Sequence, residues 1–159
     1  MKFEHLIEIN DPFNPLYDVL TREQVWQGLV LRAEAPKLFV PHLDDCQLYD
    51  RADNAVSRRL RYGELVIVDR VTFTPQQQVH YAVAAQKDIA ESSLVMLIEE
   101  PQPGSLFVRF QYNDGNDAAT DAVNAMYNDF RRSAYVESDI DTIRLIRQIA
   151  QAGTLGSVH

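Results

Sequence analysis

Between about Asp44 and Tyr112 no stretch of this chain carries helical spacing, and between about Ala118 and Ala152 nothing interrupts it. That order constrains the fold more than any other feature. Connections of a few residues cannot make parallel crossovers, which need a dozen or more, so the strand-like runs form an antiparallel meander. About 35 residues of helix at 1.5 Å each span roughly 50 Å, several times the usual length. Such a helix has to bury its apolar residues on something, and the sheet is the available surface. A curved sheet around a long helix is a container, so the function lies in what sits between them.

The elements follow from local pattern. Phe3, His5, Ile7 and Ile9 alternate with Glu4, Leu6, Glu8 and Asn10, the period of a strand. Asp11-Pro12-Phe13-Asn14-Pro15 ends it, because proline removes ladder donors and restricts its neighbour. Thr21 with Gln24 three residues on has the form of a capping box, and Val25, Trp26, Leu29, Val30 and Ala33 then fall at helical spacing. Pro36 and Pro41 leave room for a single further turn. Six strands are expected at Cys46–Asp50, Val56–Tyr62, Leu65–Phe73, Val79–Ala85, Leu94–Ile98 and Leu106–Tyr112, divided by turn residues such as Gly63 and Pro101-Gln102-Pro103-Gly104. Asp117 and Asp121 early in the last helix, Arg144 and Arg147 late in it and Gly153 beyond it agree with the helix dipole and a glycine stop. The tail after Gly153 is expected to fray.

Composition excludes several classes of function. At 159 residues, with 46% hydrophobic and 24% charged side chains, residues 1–159 are expected to form one globular domain. A net charge of −8 opposes sequence-independent binding to nucleic acid or anionic membrane, and Arg58, Arg59 and Arg61 form the one basic cluster. Cys46 is the sole cysteine, so neither an internal disulfide nor a cysteine metal site is available. Lys2, Glu4 and Glu8 break up any apolar signal core near the start, and no apolar run approaches the roughly 20 residues of a membrane span. A soluble cytoplasmic protein is the expectation.

The familiar catalytic and phosphate-binding motifs are absent, and His5, His42, His80 and His159 have no ligand spacing, so no metal or other cofactor is expected. Strand alternation says more. A two-residue turn at Gly63-Glu64 places Tyr62 opposite Leu65, Leu60 opposite Ile67, Arg58 opposite Asp69 and Val56 opposite Val71. That face is the apolar one, while Ser57, Arg59, Arg61, Arg70 and Thr72 face water. Arg58 and Asp69 then share the inner face, where charges need partners. A three-residue turn would reverse the facing. Tyr81 shares a face with Val79 and Val83, and Phe110 and Tyr112 share one with Leu106 and Val108.

On the long helix Val123, Met126, Tyr127, Phe130 and Ala134 share one side, and Val136, Ile140, Ile143, Ile146 and Ala150 cluster almost opposite. Continuing the first side brings Glu137 and Asp141 into line. Either the helix bends and exposes those acids, or they look into the polar end of a cavity. The expected cavity lining is Trp26, Arg58, Leu60, Tyr62, Ile67, Asp69, Tyr81, Val83, Phe110, Tyr112, Met126, Tyr127, Phe130, Ala134 and Glu137. Aromatic walls with a few polar anchors suit a small molecule.

Three stretches carry a family resemblance: "FEHLIEINDPFNPLYDVLTREQVWQGLVLRAEAPKLFVP" from Phe3 to Pro41, "LRYGELVIVDRVTFTP" from Leu60 to Pro75, and "ESDIDTIRLIRQIAQAG" from Glu137 to Gly153. The chain resembles the AtaL-like family within the START-like helix-grip (SRPBCC) superfamily, which includes plant pathogenesis-related proteins, lipid-transfer domains and polyketide cyclases. The resemblance implies an α+β fold in which a curved seven-stranded antiparallel sheet wraps around a long C-terminal helix, with two short helices between the first and second strands. It implies no catalytic residues. The expected function is binding of a small hydrophobic or aromatic metabolite, with Arg58 and Tyr62 orienting a polar group. The alternatives are a cyclase or isomerase in which Asp69, Glu137 or a tyrosine moves a proton, and a module that regulates a protein partner.

Overall fold

The computed structural model describes residues 1–16, 18–87, 89–153 and 155. Seven antiparallel strands form one sheet in the order β1-β7-β6-β5-β4-β3-β2. They are β1 (Lys2–Asn10), β2 (Asp45–Ala52), β3 (Ala55–Tyr62), β4 (Leu65–Thr74), β5 (Gln78–Val83), β6 (Ser92–Gln102) and β7 (Ser105–Asn113). From β2 to β7 the strands pair in chain order, and β1 joins the far edge beside β7. Helix α1 (Arg22–Glu34) and a 3-10 turn at Pro36–Leu38 separate β1 from β2, and α2 (Ala118–Val123) and α3 (Ala125–Gln151) close the chain. Among the described residues no helix is long and apolar enough to cross a membrane.

Local chemistry sets these bounds. The Thr21 hydroxyl accepts from the Gln24 amide and the Gln24 side chain accepts from the Thr21 amide, which satisfies two free donors where α1 begins. Gly63, at φ +61°, supplies the left-handed conformation that a two-residue hairpin turn requires. Tyr62 therefore faces Leu65, and Arg58 faces Asp69, the register expected of a two-residue turn. The carboxamide of Asn10 both donates to and accepts from the backbone of Leu20, tying the loop before α1 to the end of β1.

The core lies between the concave face of the sheet, α1 and the second half of α3. Ile9, Val56, Val71, Val79, Met96, Val108 and Phe110 meet Val25, Leu29 and Ala33 from α1 and Ile143 and Ile146 from α3. The two helices approach closely at Gly28, where a Cβ would stand 2.6 Å from Ile146 Cγ2.

Two expectations need correction. The final helix is divided at Asn124, whose φ of −99° and ψ of 17° end α2 before α3 begins. Ser57, expected on the wet face, is covered because Arg70 lies across it and donates to its hydroxyl at 2.8 Å. The tail expected to fray lies outside the described residues, except for Leu155. That side chain is buried, and its carbonyl accepts from Gln24 at 3.3 Å.

Candidate functional site

A cavity of about 340 Å³ opens between the concave sheet and the first half of α3. Its walls come from Arg32 of α1, Arg58 and Tyr62 of β3, Asp69 of β4, Tyr81 and Val83 of β5, Ser92, Ser93 and Leu94 of β6, Tyr112 and Asn113 of β7, Asp114 just beyond it, and Arg131 and Tyr135 of α3. Six of the fifteen expected lining residues are therefore present: Arg58, Tyr62, Asp69, Tyr81, Val83 and Tyr112. The lining is more polar than the mainly apolar pocket the strand patterns suggest.

The other nine lie elsewhere. Leu60 and Phe110 are buried in the core, and Ile67, on the same strand face as Asp69, lies outside the cavity wall. Trp26 packs edge-on against Phe73 and borders a separate groove along α1, with Val30 and Leu155. Met126, Tyr127, Phe130, Ala134 and Glu137 point to solvent, Met126 at 87% exposure and Phe130 at 74%. The reason is helical phase. At about 100° per residue, Asn128, Tyr135 and Asp139 fall within about 20° of Ile146, and Met126, Phe130 and Glu137 fall nearly opposite. Because Ile143, Ile146 and Ala150 are packed into the core, a straight α3 must turn its polar first-half residues inward. Those polar groups can be buried because each has a partner.

The Arg58–Asp69 pair is the first such partnership on the inner face. Arg58 is 4% exposed and Asp69 6%. Arg58 Nε and Nη2 donate to the two Asp69 oxygens at 2.9 and 2.7 Å, and Nη1 donates to the Ala33 carbonyl at 3.0 Å. The guanidinium also lies 4.9 Å from the centre of the Tyr81 ring. A planar fork meeting a carboxylate in this way uses both groups fully. Arg58 is thus held by its own chain rather than presented to a ligand.

The second partnership spans β1, β7 and α3. Asp139, fully buried, accepts from the Tyr112 hydroxyl at 2.7 and 2.8 Å and meets His5 Nε2 at 2.7 Å. Burial raises the Asp139 pKa, and the His5 and Tyr112 hydrogen bonds offset part of that rise. Burial, then the adjacent Asp139 charge, holds the Tyr112 phenol well above its ordinary range, so Tyr112 keeps its proton. Its ring stacks on Tyr135 with centroids 4.1 Å apart.

The third is Arg131, which donates to Asp114 at 2.9 Å, to Asn128 at 3.2 Å and to the Tyr135 hydroxyl at 3.3 Å. Burial opposes ionisation of Asp114. The Met1 amino group, the Asn116 amide and Arg131 outweigh it and bring the carboxyl down to about 2.

Arg32, Asp114, Arg131, Tyr135, Asp139 and His5 are absent from the lining that sequence predicts. A signal for four of them existed. Tyr135 and Asp139 share the helical phase of Ile146, Arg131 lies within about 60° of it, and Arg32 follows Val25 and Leu29 along α1. Cys46 is off the cavity wall and burial raises its thiol pKa, which disfavours a nucleophile. Among the described residues no three His, Cys, Asp or Glu side chains gather as metal ligands would. A separate hollow of about 370 Å³ lies against β1, β7 and β6, walled by strand residues that include Lys2, Glu4 and Gln111.

The family model described as acetylaranotin biosynthesis cluster protein L (AtaL) matches residues 7–153. No curated protein matches the chain. Among solved structures it is similar to the di-domain aromatase/cyclase StfQ from the steffimycin biosynthetic pathway, with a TM-score of 0.68 and 10% identity over 95% of this chain and 51% of that one. The chain thus spans about half the length of that di-domain protein. It is similar end to end to the Zhui aromatase/cyclase from Streptomyces sp. R1128, with a TM-score of 0.64 and 13% identity over 99% of each chain. Ara h 8.0201 aligns with a TM-score of 0.60 and 10% identity over 93% of this chain and 98% of that one. At such identities the likeness shows a shared helix-grip fold, a sheet wrapped around its C-terminal helix.

Proposed function

The chain belongs to the AtaL family, and on that premise we propose that it binds a small hydrophobic or aromatic metabolite in the cavity between the sheet and α3. The observation that carries this reading is the cavity itself. Its volume of about 340 Å³ and its four tyrosines, Tyr62, Tyr81, Tyr112 and Tyr135, suit a molecule of one or two rings with polar substituents. Native mass spectrometry of freshly purified protein, followed by titration with a two-ring fluorescent probe, tests it. Saturable one-to-one binding is expected, and it should be lost when Ser93→Trp fills the cavity. A native state that retains nothing and never saturates with probe overturns the reading.

One observation favours a second reading, a cyclase or isomerase acting on a polyketide-like or aromatic substrate. Tyr112 faces the cavity with a carboxylate and then an imidazole lined up behind its hydroxyl, so a proton moved at that hydroxyl has somewhere to go. Asp69 and Glu137 fit that role less well, since Asp69 is engaged by Arg58 and Glu137 faces solvent. Turnover separates the readings: chromatography after incubation with a candidate substrate resolves a cyclised or isomerised product, formed even without a change of mass, whereas a binding protein returns the compound unchanged.

A further inference from the structure

Three guanidiniums line the cavity, and they are not equally occupied. Arg58 has both oxygens of Asp69 and the Ala33 carbonyl, and Arg131 has Asp114, Asn128 and the Tyr135 hydroxyl. Arg32, half-buried on α1, meets neutral hydroxyls alone: its Nε stands 3.4 Å from Thr142 Oγ1, and the Tyr81 hydroxyl lies beside the guanidinium. Among the described residues no carboxylate comes within ion-pair distance of it. Tyr112 and Asp139 lie near enough to act on it electrostatically, but the Asp139 oxygens are already taken by His5 and Tyr112. A partly desolvated cation without an anion is a standing cost.

A second deficit lies on the same wall. Tyr81 is 4% exposed, and its hydroxyl, beside the Arg32 guanidinium, donates to no acceptor among the described residues. Buried hydroxyls are rarely left unpaired, and each such group costs more than a neutral hydrogen bond contributes. The Arg32 guanidinium lies 5.4 Å from the centre of the same ring. A cation lacking an anion and a donor lacking an acceptor therefore sit side by side at the cavity, and one ligand oxygen bearing negative charge answers both.

We infer that the cavity selects an anionic aromatic ligand, whose oxyanion is held between Arg32 and the Tyr81 hydroxyl while its ring lies among Tyr62, Tyr112 and Tyr135. The inference rests on the binding reading above and narrows it to acids, such as aryl carboxylates or ionised enols. It also moves the anchoring role from Arg58, which the sequence favours, to Arg32.

Calorimetric titration of the full chain at pH 7 with 2-naphthoate and with 2-naphthamide tests it, since the two share a ring and differ in charge. The acid should bind about tenfold tighter or more, the range of a charge-assisted hydrogen bond. Arg32→Gln should bring the acid down to the affinity of the amide. Tyr81→Phe, which removes the hydroxyl and leaves the ring, should keep the melting temperature, weaken the acid several-fold and the amide less, so that the preference for the acid shrinks. Equal affinity for the two probes in the unaltered protein overturns the inference and leaves the binding reading standing. A preference for the acid that survives both substitutions overturns it too. Failure of both probes to bind refutes the cavity as a binding site, and this inference with it.

Discussion

Asp69→Ala is the most direct probe of what the inner face tolerates. The substitution leaves the Arg58 guanidinium in a site where it is 4% exposed, without the two hydrogen bonds of 2.9 and 2.7 Å that neutralise it. Breaking a fully buried pair by removing one partner costs about 3–5 kcal/mol. Arg58 keeps the Ala33 carbonyl and the Tyr81 ring, and the pair borders a cavity that admits water, so the lower end applies, about 3 kcal/mol. Arg59→Ala, on the exposed face of the same strand, should change stability by about 0.5 kcal/mol or less. With a urea slope of about 2 kcal/mol per molar, Asp69→Ala lowers the midpoint by roughly 1.5 M and Arg59→Ala barely moves it. The fluorescence of Trp26, the one tryptophan, buried against Phe73, follows the transition. Replacing both partners by apolar residues, Arg58→Met with Asp69→Leu, should recover most of the loss because no stranded charge remains. Equal midpoints for Asp69→Ala and Arg59→Ala would show that the pair contributes no more than a surface contact.

Gly28→Ala should destabilise the fold by about 1–2 kcal/mol although alanine favours helix by about 1 kcal/mol, because the added Cβ meets the buried, β-branched Ile146 at 2.6–2.9 Å; a thermal melt at or above that of the parent refutes it, and Ile146→Val should relieve part of the loss. Asp114, lowered in the folded state to about 2 from an ordinary 3.8, contributes stability that is present above about pH 4 and lost as pH falls through about 2. Asp139, raised by burial, has the opposite sign, so the useful measure is the stability gap between the parent and Asp114→Asn, which should close between pH 4 and 2; a gap constant with pH sinks the assignment.

How far sequence reached depended on whether the deciding contact was local. The strands were legible because alternation and turn residues are local facts, and Gly63-Glu64 alone fixed which face Arg58 and Asp69 share. The phase of α3 was not legible from its own hydrophobicity. Val123, Met126, Tyr127 and Phe130 form the plainest apolar stripe of the closing helices, and they face solvent. What turns α3 is the packing of Ile146 on Gly28, far apart in sequence, together with partners for the inward polar groups on other elements. His5, for example, lies 134 positions from Asp139. An apolar side chain left in water costs the transfer free energy of its surface, roughly 1.5–3 kcal/mol for a large one. Turning α3 to bury that stripe would push Ile143 and Ile146 outward, so the apolar gain at one end is offset by an apolar loss at the other. The Arg58–Asp69 pair, held between neighbouring strands, would survive the rotation. Asp139, however, would lose the hydrogen bonds to His5 and Tyr112, and Arg131 would lose Asp114. The polar phase therefore wins, and it is the phase that gives the cavity its charged and phenolic wall.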